Sequence, residues 1–257
     1  MITQALKFTL KSHSACIRKA HSNSTYFTFN FPHKIMLYGI LGAIIGENGY
    51  NYNQLHKIND LPECYLNLKH LKLAVIPTIK YGAITKSLHV FNNSVGYASE
   101  DGNLIIKEQW LENPKWDIYV LDDNSDIFIK IKEYILNSKC EYIPFIGKND
   151  HFAIIENAEI VDLSNISSED NINKIDSICI GDKITVNNGI EDYIFAYDPD
   201  NTNNEKAKFI SNEMLPLVLD KDIGYSNYRE FIYTNRNVII KDYADMYSLK
   251  DKIISFF

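Results

Sequence analysis

The chain has 257 residues, of which 46% are hydrophobic and 23% are charged, and its net charge is −7. This is the composition of an ordinary soluble globular protein, long enough for one large domain or two small ones. The longest uncharged apolar run, residues 35–45, is too short for a membrane span of about 20 residues. The N-terminus lacks a secretory pattern, so we expect a cytoplasmic location and no membrane contact. The four cysteines are far apart in the sequence, so we expect reduced thiols and no metal site. We also expect no cofactor.

The charge is distributed unevenly. Residues 1–46 contain five Lys or Arg residues and three histidines but no Asp or Glu, whereas the rest of the chain carries 21 basic against 33 acidic side chains. A basic segment in an acidic chain is typical of a surface that holds a polyanion. The alternative is a chance cluster of charges that faces solvent. Our hypothesis is therefore that the N-terminal quarter of the chain binds a polyanion.

In chain order, residues 2–11 alternate between apolar and polar side chains and predict a strand. Residues 12–26 are polar, basic and rich in hydroxyl groups, which predicts a long loop. Its Arg18, Lys19 and His21 combine cations with neutral donors, the mixture that contacts phosphate groups. Long loops inside compact domains are usually functional or disordered, so this loop is the first candidate for the binding site.

An apolar helix is predicted next, at 33–46, after Pro32 and before a left-handed glycine cap at Gly46. Interior glycines cost about 1 kcal/mol each relative to alanine, so Gly39 and Gly42 indicate that a backbone or a ligand approaches the helix closely. Packing of the helix on a sheet is the favoured explanation. The helix start, flanked by His33 and Lys34, is a natural phosphate site, because free N–H groups and the helix dipole both favour an anion.

The remaining pattern predicts an α+β protein. It contains a polar connection at 47–60, a strand at 66–81, a hairpin at 82–102, a strand at 103–121 broken at residues 113–114, a helix at 125–138, and a turn and fourth strand at 141–155. This order predicts a ferredoxin-like domain over residues 1–155, the arrangement of common RNA-binding (RRM-like) sheets. Residues 156–257 predict a smaller β-rich region, in which only the last ten residues suggest a helix.

Catalytic motifs are absent from the sequence: it has no phosphate-binding glycine loop, no zinc-protease motif and no nucleophile elbow. The paired aspartates lie in predicted turns and are interpreted as solvated. Three of the seven histidines, His13, His21 and His33, lie in the basic segment. They could bind phosphate, or one could act as a general acid or base in RNA cleavage.

Three stretches, in the same order, resemble motifs of the Cas-five family, which are RAMP-superfamily subunits of type I CRISPR Cascade complexes. FPHKIMLYGILGAIIG, preceded by LKSHSACIRKAHSNSTYFTF, resembles the family's N-terminal signature. WLENPKWDIYVL resembles its third strand, and YIPFIGKNDHFAII resembles its turn before the fourth strand. Ser12, Ile17 and the His33–Ile35 helix start depart from the pattern. The resemblance is nearest to type I-B.

The resemblance implies a subunit that caps the 5′ handle of crRNA, with a thumb-like hairpin at about 82–106. It also implies contacts with a Cas-seven-family backbone subunit and a Cas-eight-family large subunit, and with target DNA through the complex, in antiviral defence. The residues implied to contact RNA are, in the loop, helix and turn, Lys11, Arg18, Lys19, Ser24, Lys34, Tyr38 and Lys148, and, on the thumb, Lys86 and His89.

One branch of the family cleaves precursor RNA with a Tyr, a Lys and a His. Here Lys34 and Tyr38 share a helix face, but His33 lies about 100° away from Lys34, so we expect no catalysis. Two alternatives stay open. One is a metal-independent endoribonuclease that processes repeat RNA, and the other is an orphan ferredoxin-like module that binds a protein.

Overall fold

In the computed structural model of the chain, residues 3–20, 25–78, 84–93, 104–187 and 208–257 are described. The strands are β1 (Thr3–Lys11), β2 (Ser14–Ala15), β3 (Thr25–Tyr26), β4 (Leu73–Pro77), β5 (Lys86–Asn93), β6 (Leu104–Glu112), β7 (Lys115–Leu121), β8 (Ile154–Asn165), β9 (Cys179–Ile180), β10 (Ile184–Val186), β11 (Ile210–Asp220), β12 (Gly224–Thr234), β13 (Val238–Ile240), β14 (Met246–Leu249) and β15 (Lys252–Ser255). The helices are α1 (Lys34–Ile45), α2 (Tyr50–Leu55), α3 (Glu63–Leu68) and α4 (Asp126–Leu136), with short 3-10 turns at Ser168–Asp170 and Gly181–Lys183.

The central sheet has six strands in the order β15–β14–β8–β1–β7–β4, and each neighbouring pair is antiparallel. Its two edges meet, because the backbone N–H of Phe257 donates to the carbonyl of Leu73 at 2.9 Å and the N–H of Leu73 donates back at 3.1 Å. The molecule is therefore a mixed α+β protein, consisting mostly of strands, with a nearly closed antiparallel sheet.

The main core lies between one face of this sheet and the helices. The alternation predicted for residues 2–11 is confirmed: Leu6, Phe8 and Leu10 of β1 are fully buried in this core, together with apolar residues of α1 and α4. Each such side chain contributes on the order of 1.5–3 kcal/mol through burial. The helix predicted at 125–138 is confirmed as α4, and Ser125 caps it by accepting a hydrogen bond from the backbone N–H of Phe128 at 3.2 Å.

The predicted helix at 33–46 is confirmed as α1, which ends at Gly46 with a φ of 84°. Its two interior glycines differ. A Cβ atom at Gly42 would lie 2.6 Å from the Cβ of Cys64 on α3, so the close approach here is that of a helix, which corrects the expected packing on a sheet. A Cβ atom at Gly39 would meet nothing within 4 Å, and Gly39 is exposed.

Several element predictions were wrong. The strand predicted at 66–81 begins only at Leu73, because Tyr65 and Leu68 face the core from the short helix α3. The polar connection at 47–60 contains α2. The fourth strand begins only at Ile154 and continues to Asn165. The last residues form β15 and not a helix, because β15 pairs with β14, which in turn pairs with β8.

The C-terminal strands extend the fold in two ways. β14 and β15 join the central sheet, whereas β11 and β12 form a long hairpin with β9 at its edge. Leu215 and Phe231 from that hairpin are buried in the main core. The division of the chain at residue 155 stays a prediction. The predicted β-rich character agrees with the described residues beyond it, whose helical content is limited to 3-10 turns.

The two interior glycines of α1 give opposite stability predictions. Gly39→Ala should raise the free energy of unfolding by about 1 kcal/mol, because alanine favours the helix and its Cβ meets nothing. Gly42→Ala should lower it by roughly 1–3 kcal/mol, because the added methyl group would overlap Cys64. Urea denaturation of both variants measures the difference. Equal effects of the two substitutions would contradict this packing.

Candidate nucleic-acid interface

The predicted thumb is a real hairpin at its base. β5 and β6 pair from Lys86 with Leu111 to Asn93 with Leu104, and residues 94–103 between the strands lie outside the described residues. The strands continue past the predicted end at 106, and the predicted break at 113–114 is confirmed, because Asn113 turns the chain with a φ of 48°. We call residues 86–91 and 106–112 the hairpin root.

An aromatic stack covers one face of the hairpin root. Cross-strand pairing places His89 and Trp110 on this face, and their rings stack with centroids 3.8 Å apart. His151, from the turn before β8, meets the indole of Trp110 edge-on at 4.7 Å. The hydroxyl of Ser14 and the Nδ1 atom of His151 are hydrogen-bonded at 2.7 Å. These contacts connect β2, β5, β6 and the turn before β8 into one unit.

A buried carboxylate positions Lys148 against the same face. Glu108 is only 2% exposed, and its oxygens accept hydrogen bonds from Lys148 Nζ at 2.8 and 2.9 Å and from Trp110 Nε1 at 2.9 Å. Burial raises the pKa of Glu108, but the hydrogen bonds from Lys148 and Trp110 outweigh it, and the pKa is lower than its ordinary value. Glu108 is therefore ionised at neutral pH and holds Lys148 in place.

A second buried carboxylate positions the basic loop. Glu213 of β11 is 5% exposed and accepts the backbone N–H of Asn30 at 2.7 Å, and its other oxygen lies 2.7 Å from Lys19 Nζ. Lys86 lies in the same field: burial lowers its pKa, Glu213 opposes that change, and Lys19 adds to it. Two lysines from separate segments thus share the neighbourhood of one carboxylate.

Arg18 is the most available cation of the basic loop. Its side chain is exposed, and its guanidinium carbon lies 3.7 Å from the ring centroid of Tyr26. Pairing of Arg18 with Thr28, and the hydrogen bond from Lys19 N–H to the carbonyl of Phe27 at 2.8 Å, fix the backbone. No carboxylate of the described residues lies within salt-bridge distance of Arg18. A stacked guanidinium keeps its planar donors free for phosphate.

The structure gathers five of the predicted residues around the hairpin root: Arg18, Lys19, Lys86, His89 and Lys148. His13 is exposed beside β2, where its carbonyl accepts the N–H of Asn113 at 2.9 Å. His21 and Ser24 lie outside the described residues.

The sheet itself does not present a free basic face. Lys11 and Thr9 point away from the helices, because they alternate with the buried Phe8 and Leu10. Lys11 Nζ lies 2.6 Å from Glu156, and the hydroxyl of Thr9 donates to Asp117 at 2.8 Å. Acids therefore neutralise this face.

His33 and Tyr38 are corrections to the predicted RNA-contact set, because both side chains are 1% exposed. His33 Nδ1 accepts the backbone N–H of Met36 at 3.2 Å, so the side chain caps α1 and takes a donor that a phosphate would have used. The hydroxyl of Tyr38 donates to the carbonyl of Leu71 at 2.8 Å. A buried side chain that is already hydrogen-bonded to the backbone presents no surface to RNA. We therefore remove His33 and Tyr38 from the predicted RNA-contact residues.

Lys34 lies apart from the hairpin root. Burial lowers its pKa to about 8, with the charge of Lys72 adding to the decrease and Asp245 opposing it. Lys72 immediately precedes β4 and Asp245 immediately precedes β14, so the structure does not bring Lys34 to the cations around the hairpin root.

Sequence reasoning missed Tyr26, Glu108, Trp110, His151 and Glu213. Glu108 and Trp110 stand two residues apart on a strand, which places them on one face, and this spacing could have been noticed. The importance of Glu213 depends on a contact with a segment more than 180 residues away, for which the sequence has no local signal.

The histidine beside Trp110, His151, is enclosed by its neighbours. His151 is 1% exposed, and its Nε2 atom is buried without a hydrogen-bond partner. Burial, followed by the charge of Lys148, lowers its pKa, so the ring is neutral at pH 7 and enclosed.

The described residues contain no group of three or more His, Cys, Asp or Glu placed to hold a metal ion, and none of the described helices is long and apolar enough to cross a membrane.

Neither a known protein family nor a curated protein matches the sequence. Among solved structures, a chain of a "CRISPR RNA-guided surveillance complex" is similar over 91% of both chains, at 12% identity and a TM-score of 0.46. That chain and the two that follow come from CRISPR-associated proteins. A CRISPR protein from Archaeoglobus fulgidus is similar over 98% of this chain and 97% of its own, at 7% identity and a TM-score of 0.49. A Cas protein is similar over 56% of this chain and 57% of its own, at 14% identity and a TM-score of 0.35.

Lys148→Ala should lower the free energy of unfolding by about 2 kcal/mol, because it leaves the buried Glu108 without its cation. Lys11→Ala is the matched control and should cost less than about 1 kcal/mol, because its partner Glu156 is only half-buried. Denaturant unfolding measures both variants. Equal losses would show that Glu108 does not depend on Lys148.

His33 gives a pH prediction. Its pKa is lowered by burial from 6.5 to about 3, so the unfolded chain binds a proton that the folded chain rejects. Stability should therefore fall as pH drops below about 6.5, by up to about 1.4 kcal/mol for each pH unit. His33→Asn keeps a capping side chain but removes the titration. Unfolding measured at pH 7 and pH 5 should show a smaller loss for the variant, and identical losses would contradict a buried neutral His33.

Proposed function

We propose that the protein is a non-catalytic RNA-binding subunit of a CRISPR surveillance complex and that it holds the 5′ handle of crRNA at the hairpin root. The observation that carries the proposal is the exposed Arg18, stacked on Tyr26, together with Lys19 and Lys86 near Glu213 on one side of the hairpin root and Lys148 on Glu108 on the other. Three ordered sequence motifs of the Cas-five family support it independently, and two of them supply Arg18 and Lys148.

The topology supports the finer assignment to a ferredoxin-like domain. Strands β1, β4, β7 and β8, with α1 and α4, follow the βαββαβ order of that fold, and the β5–β6 hairpin is inserted between the second and third strands. A hairpin in this position corresponds to the thumb that the resemblance implies. Fold alone assigns no function, so the proposal depends on the cations.

The charges suit a backbone-binding role. Glu108 and Glu213 each hold a lysine in place, so the cations are positioned before RNA arrives and lose little side-chain entropy on binding. Arg18 can give two parallel hydrogen bonds to one phosphate. Exposed aromatic side chains near it, such as Phe27, offer stacking surfaces for unpaired bases. The acidic remainder of the chain disfavours RNA elsewhere.

The partners follow from the resemblance and are part of the proposal. They are a Cas-seven-family backbone subunit, a Cas-eight-family large subunit and, through the complex, target DNA. We assign the complex to type I-B and to the cytoplasm. Against the ribonuclease alternative, His33 and Tyr38 are buried and Lys34 lies apart from the hairpin root, so this Tyr, Lys and His do not form one exposed site.

The test is binding of a CRISPR repeat RNA from the source genome, in EDTA, measured by fluorescence anisotropy and by a gel that reports cleavage. Arg18→Ala should weaken binding by about tenfold and reduce the slope of log affinity against log salt by about one. Arg229→Ala, which removes an exposed arginine on β12, is the matched control and should change neither quantity.

Three outcomes would contradict the proposal. Equal affinities for the Arg18→Ala and Arg229→Ala proteins would place RNA elsewhere. Cleavage at one site in EDTA would indicate a metal-independent endoribonuclease. Absence of binding by the folded wild-type protein at low salt would favour a module that binds only protein.

A further inference from the structure

A second surface, unrelated to the cations, runs along α1. It is an open groove of about 680 Å³, bounded by α1, by α2 and by the segment 142–147. Its floor is the side of α1 that carries Met36, Gly39 and Ala43. We call it the α1 groove.

The floor of the α1 groove is apolar where a surface helix would be polar. The sequence of α1, KIMLYGILGAII, has a single charged residue at its first position, and helices that are apolar on all sides are normally buried on all sides. Here the side that carries Gly39 is uncovered. Gly42 is explained by α3, but nothing in the described chain approaches Gly39. The space above Gly39 is therefore free for an atom from another molecule.

The walls of the α1 groove carry large apolar side chains that face solvent. Leu55 of α2 is 81% exposed, and Tyr50, Tyr142 and Phe145 are each 43% exposed or more. Contiguous exposed apolar surface of this kind marks protein interaction sites. Tyrosine is also one of the side chains enriched at the centres of protein interfaces.

Three carboxylates lie along the α1 groove. Glu47 lines it, Glu63 accepts a hydrogen bond from the lining Asn48 at 2.7 Å, and Glu141 precedes the lining Tyr142. None of the described lining residues is Lys or Arg, and no described cation lies within salt-bridge distance of these three carboxylates. This rim repels nucleic acid and favours a cationic partner.

We propose that the α1 groove binds a segment of a partner protein that places aliphatic or aromatic side chains over Gly39 and carries Lys or Arg on its flanks. The apolar floor supplies the burial, and the uncompensated carboxylates select the charge of the partner. This inference is independent of the RNA proposal, since the two surfaces share none of the residues argued for binding.

The experiment places the photo-cross-linker p-benzoylphenylalanine at Leu55 of the full chain in its host cells, with the same cross-linker at the exposed Ile223 as the matched control. We expect a cross-link at position 55, absent at 223, to one peptide that combines apolar residues with Lys or Arg. That peptide, synthesised and fluorescently labelled, should bind the purified protein. Gly39→Leu, which fills the floor, should weaken its binding at least tenfold, and Gly39→Ala should weaken it less.

The charge component has its own readout. The double variant Glu47→Gln/Glu63→Gln should bind the same peptide more weakly at low salt and lose most of the salt dependence. Retention of repeat RNA should be unchanged in the Gly39→Leu and double-Gln proteins, so failure of this proposal is distinguishable from failure of the RNA proposal. A cross-link to a second copy, to RNA or to an acidic peptide, or none above the Ile223 control, would overturn the inference.

Discussion

The buried carboxylate of Glu213 joins the N-terminal and C-terminal parts of the chain. It lies on a strand of the C-terminal hairpin, yet its hydrogen-bond donors are the backbone of residues 30–31 and the Lys19 side chain from the basic loop. A buried carboxylate without donors would cost several kcal/mol, so the loop and the hairpin must dock together for either to be stable. Lys19 and residues 30–31 are thereby held in place although they lie outside the named strands and helices.

The buried carboxylate of Glu108 likewise holds separate segments together, on the opposite side of the hairpin root. It draws in Lys148 from the turn before β8 and the indole of Trp110, against which His89 and His151 pack. The buried acids position their lysines and do not themselves face solvent, and Arg18, which has no carboxylate of the described residues within salt-bridge distance, supplies the net positive charge. Buried ion pairs contribute little net stability, so their value here is the specific geometry they impose.

Local patterns predicted the local elements. The alternation in β1, the caps at Ser125 and Gly46, and the turn at Asn113 each depend on residues close in sequence, and each was predictable. The helix α1 shows the limit of such patterns. Because it is apolar on all sides, periodicity could not reveal which side is buried. His33, which caps it, and Tyr38 were therefore predicted to contact RNA although both are buried. β15 was missed because its strand conformation comes from pairing with β14. Lys19 and Lys148 were predicted, but the buried acids that position them, Glu213 and Glu108, were not.

The most direct measurement is ultraviolet cross-linking of the protein to repeat RNA that contains 4-thiouridine, followed by mass spectrometry of the attached peptides. The account predicts attachment within residues 11–28, within the β5–β6 hairpin or at residues 148–152, the segments that carry the cations. Attachment mainly along the α1 groove or on β10 and β13, with these segments unmodified, would contradict the account.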